Sequence, residues 1–317
     1  MEKINNYNKK VIIKNENNEI LFSTNDVQSI YLYPLSLKDY ILNINSKKPI
    51  LLNIIKYDKK INYDIFLRNE YFNNLKCVEL LVDDNYDIIT NIINYLYDNN
   101  ILITLNIKNI NKIPDLFLIK NINKVIYIKI FWNYYNIKLF EQKLAIIEEY
   151  KTPKLSILIK SYLNINKINS YEKYINLFRK WGVDIYQLSK KLLPYNVNNV
   201  KVDKQIIEKI RFLEKKYDHF FISVKNLEDY YYPKFRLDNR NSKVCFACYL
   251  KPYLYKKDII ACKVEEILLN KSKWQVSNFD KCGKNCSDCA SIYENDMLSL
   301  IKSKIKNVKI SVEIIKE

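Results

Sequence analysis

The sequence is poor in the residues on which many enzyme chemistries depend. It holds two glycines, Gly182 and Gly283, in 317 residues. Loops that cradle phosphate, and dinucleotide fingerprints, need several glycines within a few positions so that backbone N–H groups can approach the anion. No such window exists, which excludes P-loop and Rossmann chemistry. One histidine, His219, leaves no room for a His-rich zinc site or for most His-dependent proton transfer. It opens the apolar run His219-Phe-Phe-Ile-Ser-Val224 and reads as a strand-end residue. No apolar run approaches the length of about eighteen residues needed to span a bilayer. The start, Met1-Glu-Lys-Ile-Asn-Asn6, is too polar for a signal peptide. The expectation is a cytoplasmic protein with no membrane segment.

Arginine is scarce too, limited to Arg68, Arg179, Arg211, Arg236 and Arg240, although the formal net charge is +17. A basic surface attracts phosphate whatever its sequence. Here the lysines are spread along the chain, and Lys, Asn, Ile and Tyr are abundant together, as an AT-rich coding sequence would produce. No nucleic-acid reading motif accompanies the charge, so a nucleic-acid partner is disfavoured. The 27 tyrosines are scattered evenly and read as core filling, not as a stacking platform for bases.

What is present is a large apolar fraction, 48%, enough for a substantial core. Two alternating runs around an Asn-rich turn, from Val11 to Phe22, predict a β-hairpin. From residue 50 onward, short apolar strands alternate with amphipathic helices. The strands are Ile50–Ile55, Cys77–Val82, Ile101–Ile107, Val125–Phe131, Leu155–Ile159, Asp184–Leu188 and Phe220–Val224, read as apolar on both faces and hence parallel. One helix carries the stripe Ile137, Phe140, Leu144 and Ile147. Another, Tyr171, Tyr174, Ile175 and Phe178, is capped by Ser170 and stopped by Gly182. A third, Ile206, Ile210, Leu213 and Tyr217, follows Asp203. About six βα units in steady succession fit an α/β partial (βα)6 TIM-like barrel better than a doubly wound sheet. The rhythm stops after Leu227, which suggests an N-terminal hairpin appendage over 1–48, a barrel over 49–226 and a small C-terminal domain over 227–317. The last of these is expected to end in a helix over about 296–306 and a short basic strand. Asp83 and Asp84, at a strand end on a barrel's active side, could bind a cation, but an acidic turn capping the next helix is the simpler reading.

Cysteine is absent from the first 244 residues except for Cys77, which reads as a buried small hydrophobe. The other six are Cys245-Phe-Ala-Cys248, then Cys262, then Cys282-Gly-Lys-Asn-Cys286-Ser-Asp-Cys289. In a reducing compartment such a cluster binds metal more readily than it forms disulfides. Four thiolates would satisfy either a zinc tetrahedron or one [4Fe–4S] cluster. A zinc ribbon presents two symmetrical CxxC knuckles. One CxxC, a lone cysteine and a CxxxCxxC favour iron–sulfur, with zinc as the alternative.

The stretch from Cys245 through Tyr253-Leu-Tyr-Lys-Lys-Asp-Ile-Ile-Ala-Cys262 resembles the opening of the SPASM or twitch extension of radical S-adenosylmethionine enzymes. There, cysteines around a β-hairpin hold an auxiliary [4Fe–4S] cluster. Trp274-Gln-Val-Ser-Asn-Phe-Asp-Lys-Cys282, with Cys286 and Cys289, resembles its second half. The resemblance spans about residues 50–295 and implies a partial (βα)6 barrel. It makes Cys248 and Cys262 the firmest ligands, then Cys245, with one or more of Cys282, Cys286 and Cys289.

The departures are in the core. The family places a CxxxCxxC after its first barrel strand, to bind and cleave S-adenosylmethionine. Here that stretch is Tyr57-Asp-Lys-Lys-Ile-Asn-Tyr-Asp64. The Gly-Gly-Glu-Pro-like turn after the second strand is replaced by Leu81-Val-Asp-Asp-Asn85, and the glycine five residues before the hairpin's last cysteine is Lys257. Cys282, Cys286 and Cys289 have the catalytic spacing, but too little chain follows them to build a barrel. S-adenosylmethionine as a cofactor is therefore doubtful. The resemblance then implies a radical-SAM-like protein with one auxiliary cluster, relaying electrons or supporting a partner in peptide maturation. Its partner would be a peptide substrate or another maturation enzyme. An active divergent radical enzyme and a zinc-stabilised interaction module, with RNA as a candidate partner, stand as the other readings.

Overall fold

The computed structural model describes residues 9–24, 35, 39, 43, 48–134, 136–189, 204–217, 220–222, 252–256, 258–260 and 310–316. Seven consecutive strands alternate with six helices. They run β3 (Leu51–Lys56), α1 (Tyr63–Leu67), β4 (Cys77–Val82), α2 (Tyr86–Asp98), β5 (Leu102–Ile107), α3 (Asp115–Asn121) and β6 (Tyr127–Phe131). There follow α4 (Ile137–Tyr150), β7 (Ser156–Tyr162), α5 (Tyr171–Lys180), β8 (Ile185–Ser189), α6 (Lys204–Lys216) and β9 (Phe221–Ile222). Two short strands, β10 (Tyr253–Tyr255) and β11 (Asp258–Ile260), come later in the chain. The sheet order is β11-β10-β3-β4-β5-β6-β7-β8-β9. Each of the seven strands β3–β9 lies beside its successor in sequence, and β10 pairs parallel to β3 on that strand's other edge. That is the winding of a barrel, not of a doubly wound sheet. The sheet is left open, so the architecture is a partial TIM-like barrel.

A separate three-stranded antiparallel sheet has the order β12-β1-β2, from β1 (Lys9–Asn15), β2 (Ile20–Thr24) and β12 (Ile310–Lys316). The expected hairpin forms, with the Asn15 carboxamide oxygen accepting from the N–H groups of Asn17 (3.0 Å) and Glu19 (2.8 Å). The basic strand near the chain end pairs with it along seven residues, from Lys9↔Lys316 to Asn15↔Ile310.

The chain divides into two compact units, one of Leu81–Asn94 with Ile103–Leu237, the other of Glu2–Leu80 with Tyr95–Leu102 and Asp238–Glu317. In the first, Leu105, Ile128, Ile130, Ile157, Ile159 and Tyr186 are buried on one sheet face, and Phe140, Leu144, Ile147 and Phe178 are buried on the helices. The Phe178 ring lies 4.9 Å from that of Tyr186, which marks this as the helix-covered face. Trp132 anchors the layer, with ring centroids 4.6 Å from Tyr174, 5.1 Å from Phe178 and 5.6 Å from Phe140. In the second unit, Leu51, Leu52, Ile54 and Leu254 are fully buried.

Helix boundaries follow local chemistry. Asn62 caps α1 by accepting from Asp64 N–H (3.1 Å) and Ile65 N–H (3.2 Å). Ser170 does not act as the expected cap. The chain enters α5 through a 3₁₀ turn over Ile165–Ser170, and the Ser170 hydroxyl makes no capping bond. The stop at Gly182 is a Schellman turn. Gly182 N–H reaches the Arg179 carbonyl (3.2 Å), Val183 N–H reaches that of Phe178 (3.1 Å), and Gly182 has φ +63°.

A Cβ at that glycine would meet the Glu148–Lys151 pair, which is flexible enough to move, so backbone strain dominates. Gly182→Ala should cost about 1–2 kcal/mol. In urea denaturation this would show as a lower midpoint at unchanged slope.

Candidate functional site

The site begins at strand ends, where a βα barrel presents its chemistry. After β4, Asp83 accepts from the N–H of Asn85 (3.0 Å) and from its carboxamide (2.8 Å), and the Asn85 carbonyl accepts from Ile89 N–H (3.0 Å). The pair Asp83 and Asp84 is thus a turn that launches α2. Among the described residues no group of His, Cys, Asp or Glu comes together as a metal site.

After β3 the loop closes on itself. Asp58 N–H donates to the Tyr63 hydroxyl (2.8 Å), the Asp58 carboxylate accepts from Lys60 N–H (2.9 Å), and its carbonyl accepts from Ile61 N–H (3.1 Å). A three-thiolate cluster does not fit this loop, which has no thiol and whose carboxylate and hydroxyl serve the turn. The one cysteine among the described residues, Cys77, is fully buried and pairs with Leu51 at the start of the strands, the end opposite this loop.

Cys245, Cys248, Cys262, Cys282, Cys286 and Cys289 lie outside the described residues, as do His219, Asp203 and the helix expected over 296–306. What is described is the chain between Cys248 and Cys262. It forms an antiparallel hairpin, with Tyr253↔Ile260, Leu254↔Ile259 and Tyr255↔Asp258 in register. A two-residue connection favours turns with φ > 0 at the first central position, and Lys256 has φ 55°. The hairpin adds to the parallel sheet through β10 and β3, with Tyr253↔Asn53 and Leu254↔Ile54 in register. The Pro252 carbonyl accepts from both the backbone N–H (3.0 Å) and the carboxamide (3.3 Å) of buried Asn53, and Lys256 N–H donates to the Lys56 carbonyl (2.8 Å).

A second feature was not anticipated from sequence. Strands read as apolar on both faces carry polar residues on one of them. In the first unit the register sets Asn106 beside Lys129, Phe131 beside Lys160, and Lys160 beside Gln187. Asn106, Lys129, Lys160 and Gln187 are half-buried, and Thr104 is fully buried. The Lys129 ammonium sits 5.9 Å from the Tyr127 ring, and the Phe131 and Tyr162 rings meet edge-on at 4.6 Å. The signal was present as polar residues two apart in Leu102-Ile-Thr-Leu-Asn-Ile107 and as single lysines in Tyr127-Ile-Lys-Ile-Phe131 and Ile157-Leu-Ile-Lys-Ser161.

Behind this face lies a tyrosine cluster. The Tyr134 hydroxyl donates to the Tyr162 carbonyl (2.6 Å) and lies 3.2 Å from that of Tyr171, which in turn bonds Asn164. Burial, above all, pushes the phenols of Tyr134 and Tyr186 well above their ordinary value of 10.0.

No family model and no curated protein matches the chain. Solved structures do. The crystal structure of Streptococcus suis SuiB aligns at a TM-score of 0.51 and 14% identity, covering 83% of this chain and 70% of SuiB. SuiB bound to S-adenosylmethionine aligns at 0.50 and 15%, covering 79% and 67%. SuiB bound to precursor peptide SuiA aligns at 0.50 and 13%, covering 83% and 69%. At such identity the likeness is one of fold. Among the described residues no helix is long and apolar enough to cross a membrane.

The raised phenol values have a signed consequence. A tyrosine that stays protonated in the folded state but ionises near pH 10 when unfolded stabilises fully below that pH, and the stability is lost as pH rises above it. Unfolding free energy should therefore fall above pH 10 by about 1.4 kcal/mol per pH unit for each such residue. Tyr134→Phe should make the decline shallower, as measured by urea titrations at a series of alkaline pH values.

Proposed function

We propose that this chain is a radical-SAM-like iron–sulfur protein of peptide maturation. It would hold one auxiliary [4Fe–4S] cluster and would not cleave S-adenosylmethionine. The observation that carries the reading is the β10–β11 hairpin, which occupies the interval between Cys248 and Cys262 and is hydrogen-bonded to the first barrel strand. In this reading Cys248 and Cys262 are ligands, Cys245 comes next, and the set is completed from Cys282, Cys286 and Cys289. The segments 1–48, 49–226 and 227–317 then act as appendage, barrel and cluster domain.

The cluster would supply a one-electron relay when bound. The chain's own part is to fix the hairpin that separates two ligand positions and to offer a polar sheet face to a substrate. A peptide as partner is supported by the likeness to SuiB, one structure of which holds the precursor peptide SuiA. Loss of S-adenosylmethionine cleavage is supported by the loop after β3, where a self-contained turn replaces a thiol-bearing one.

Anaerobically purified protein should contain iron and sulfide in near-equal amounts. Cys248→Ala and Cys262→Ala should each lose both, while Cys77→Ala keeps them. Stoichiometric zinc in place of iron would overturn the cluster. Formation of 5′-deoxyadenosine with dithionite and S-adenosylmethionine would overturn the loss of cleavage.

A further inference from the structure

We propose that the polar face of β5–β8 selects an acidic peptide, Lys129 and Lys160 together holding a side-chain carboxylate. This rests on the peptide reading above and names the chemistry of the peptide it would take.

The two lysines are on adjacent strands and share a face. Lys129 is in register with Leu158, and Lys160 lies two residues further along β7. With strands about 4.8 Å apart and a rise of about 3.3 Å per residue, such diagonal positions are about 8 Å apart, within the reach of two lysine side chains converging on one anion. Asn106 stands beside the first lysine and Gln187 beside the second, both able to donate to the same oxygens. The surrounding Tyr127, Phe131 and Tyr162 rings lower the local dielectric, which strengthens attraction to an anion. Lys129, Lys160 and Asn106 already interact within the chain, so a carboxylate would exchange with existing contacts and not fill a vacancy. Such exchange makes recognition selective, because a neutral glutamine cannot repay the displaced contacts.

The test uses a labelled Gly/Ser peptide bearing paired glutamates and its glutamine twin, titrated by fluorescence anisotropy against full-length protein. The glutamate peptide should bind about tenfold more tightly, with the gap narrowing as salt rises. Lys129→Gln with Lys160→Gln should erase the preference and leave the glutamine peptide's affinity unchanged. Lys160→Arg should retain it. Circular dichroism checks folding, and Lys160→Met alone replaces the double variant if that fails to fold. Equal affinities in the unsubstituted protein, or a preference surviving loss of the lysines, would overturn the proposal. So would S-adenosylmethionine displacing the glutamate peptide in a Lys160-dependent manner, since the face would then hold that molecule's carboxylate. Iron is assayed on the same samples. Cluster-free protein that keeps the charge preference removes the cluster reading alone, and cluster-loaded protein without the preference removes this proposal alone.

Discussion

The pairing of β10 with β3 is the constraint on which the second unit depends. β3 carries fully buried Leu51, Leu52 and Ile54, so its backbone N–H and C=O groups on the edge away from β4 cannot be left unpaired without a cost of about 1–3 kcal/mol each. The chain meets this demand with residues 199 positions away, through Pro252, whose carbonyl receives two donors from Asn53. Closing so long a loop is slow to be rewarded, which puts this pairing late in folding. It also fixes the hairpin that lies between Cys248 and Cys262. Any chemistry those cysteines perform is therefore tied to the first barrel strand by backbone bonds, not by side-chain packing alone.

The first unit obeys a different constraint. Its parallel strands need a helix layer on one face, and Phe178 against Tyr186 with Trp132 among four rings supplies it. The opposite face is free of that demand and carries Lys129, Lys160, Asn106 and Gln187. Half-buried lysines are costly to keep on a sheet face, since each ammonium gives up part of its hydration. Both lysines interact within the chain, which offsets part of that cost.

The strands were legible because their apolar runs are short and regularly spaced. Cys77–Val82 matches residue for residue, and Ile101–Ile107 differs from Leu102–Ile107 by one position. β7 was read as ending at Ile159 yet continues through Lys160 and Ser161 to Tyr162, because two polar residues in succession, one on each face, end the apolar run. The hairpin of Tyr253–Tyr255 was legible only through the family resemblance, and its partner on β3 is too distant in sequence for any local pattern to reveal. Ser170 had the chemistry of a cap, but the preceding 3₁₀ turn satisfies the helix start by other means. Open or closed, barrel or doubly wound, was a question of strand order, which no periodicity encodes.

The loop after β3 bears most directly on chemistry. A cluster-binding loop must leave its thiolates unengaged and its backbone arranged around the metal, whereas Tyr57–Asn62 turns tightly, with Asp58 bonded at its N–H, carbonyl and carboxylate. Asn62 then starts α1 at once. No thiol lies in this loop, and its Asp58 carboxylate and Tyr63 hydroxyl are engaged in the turn. The second unit has thus turned the start of its barrel to structural ends, sealing β3 along one edge with a hairpin and at one end with a turn. In the first unit the corresponding strands keep a charged face. On the reading proposed above, the polar face serves recognition, and the loop after β3 serves its own turn.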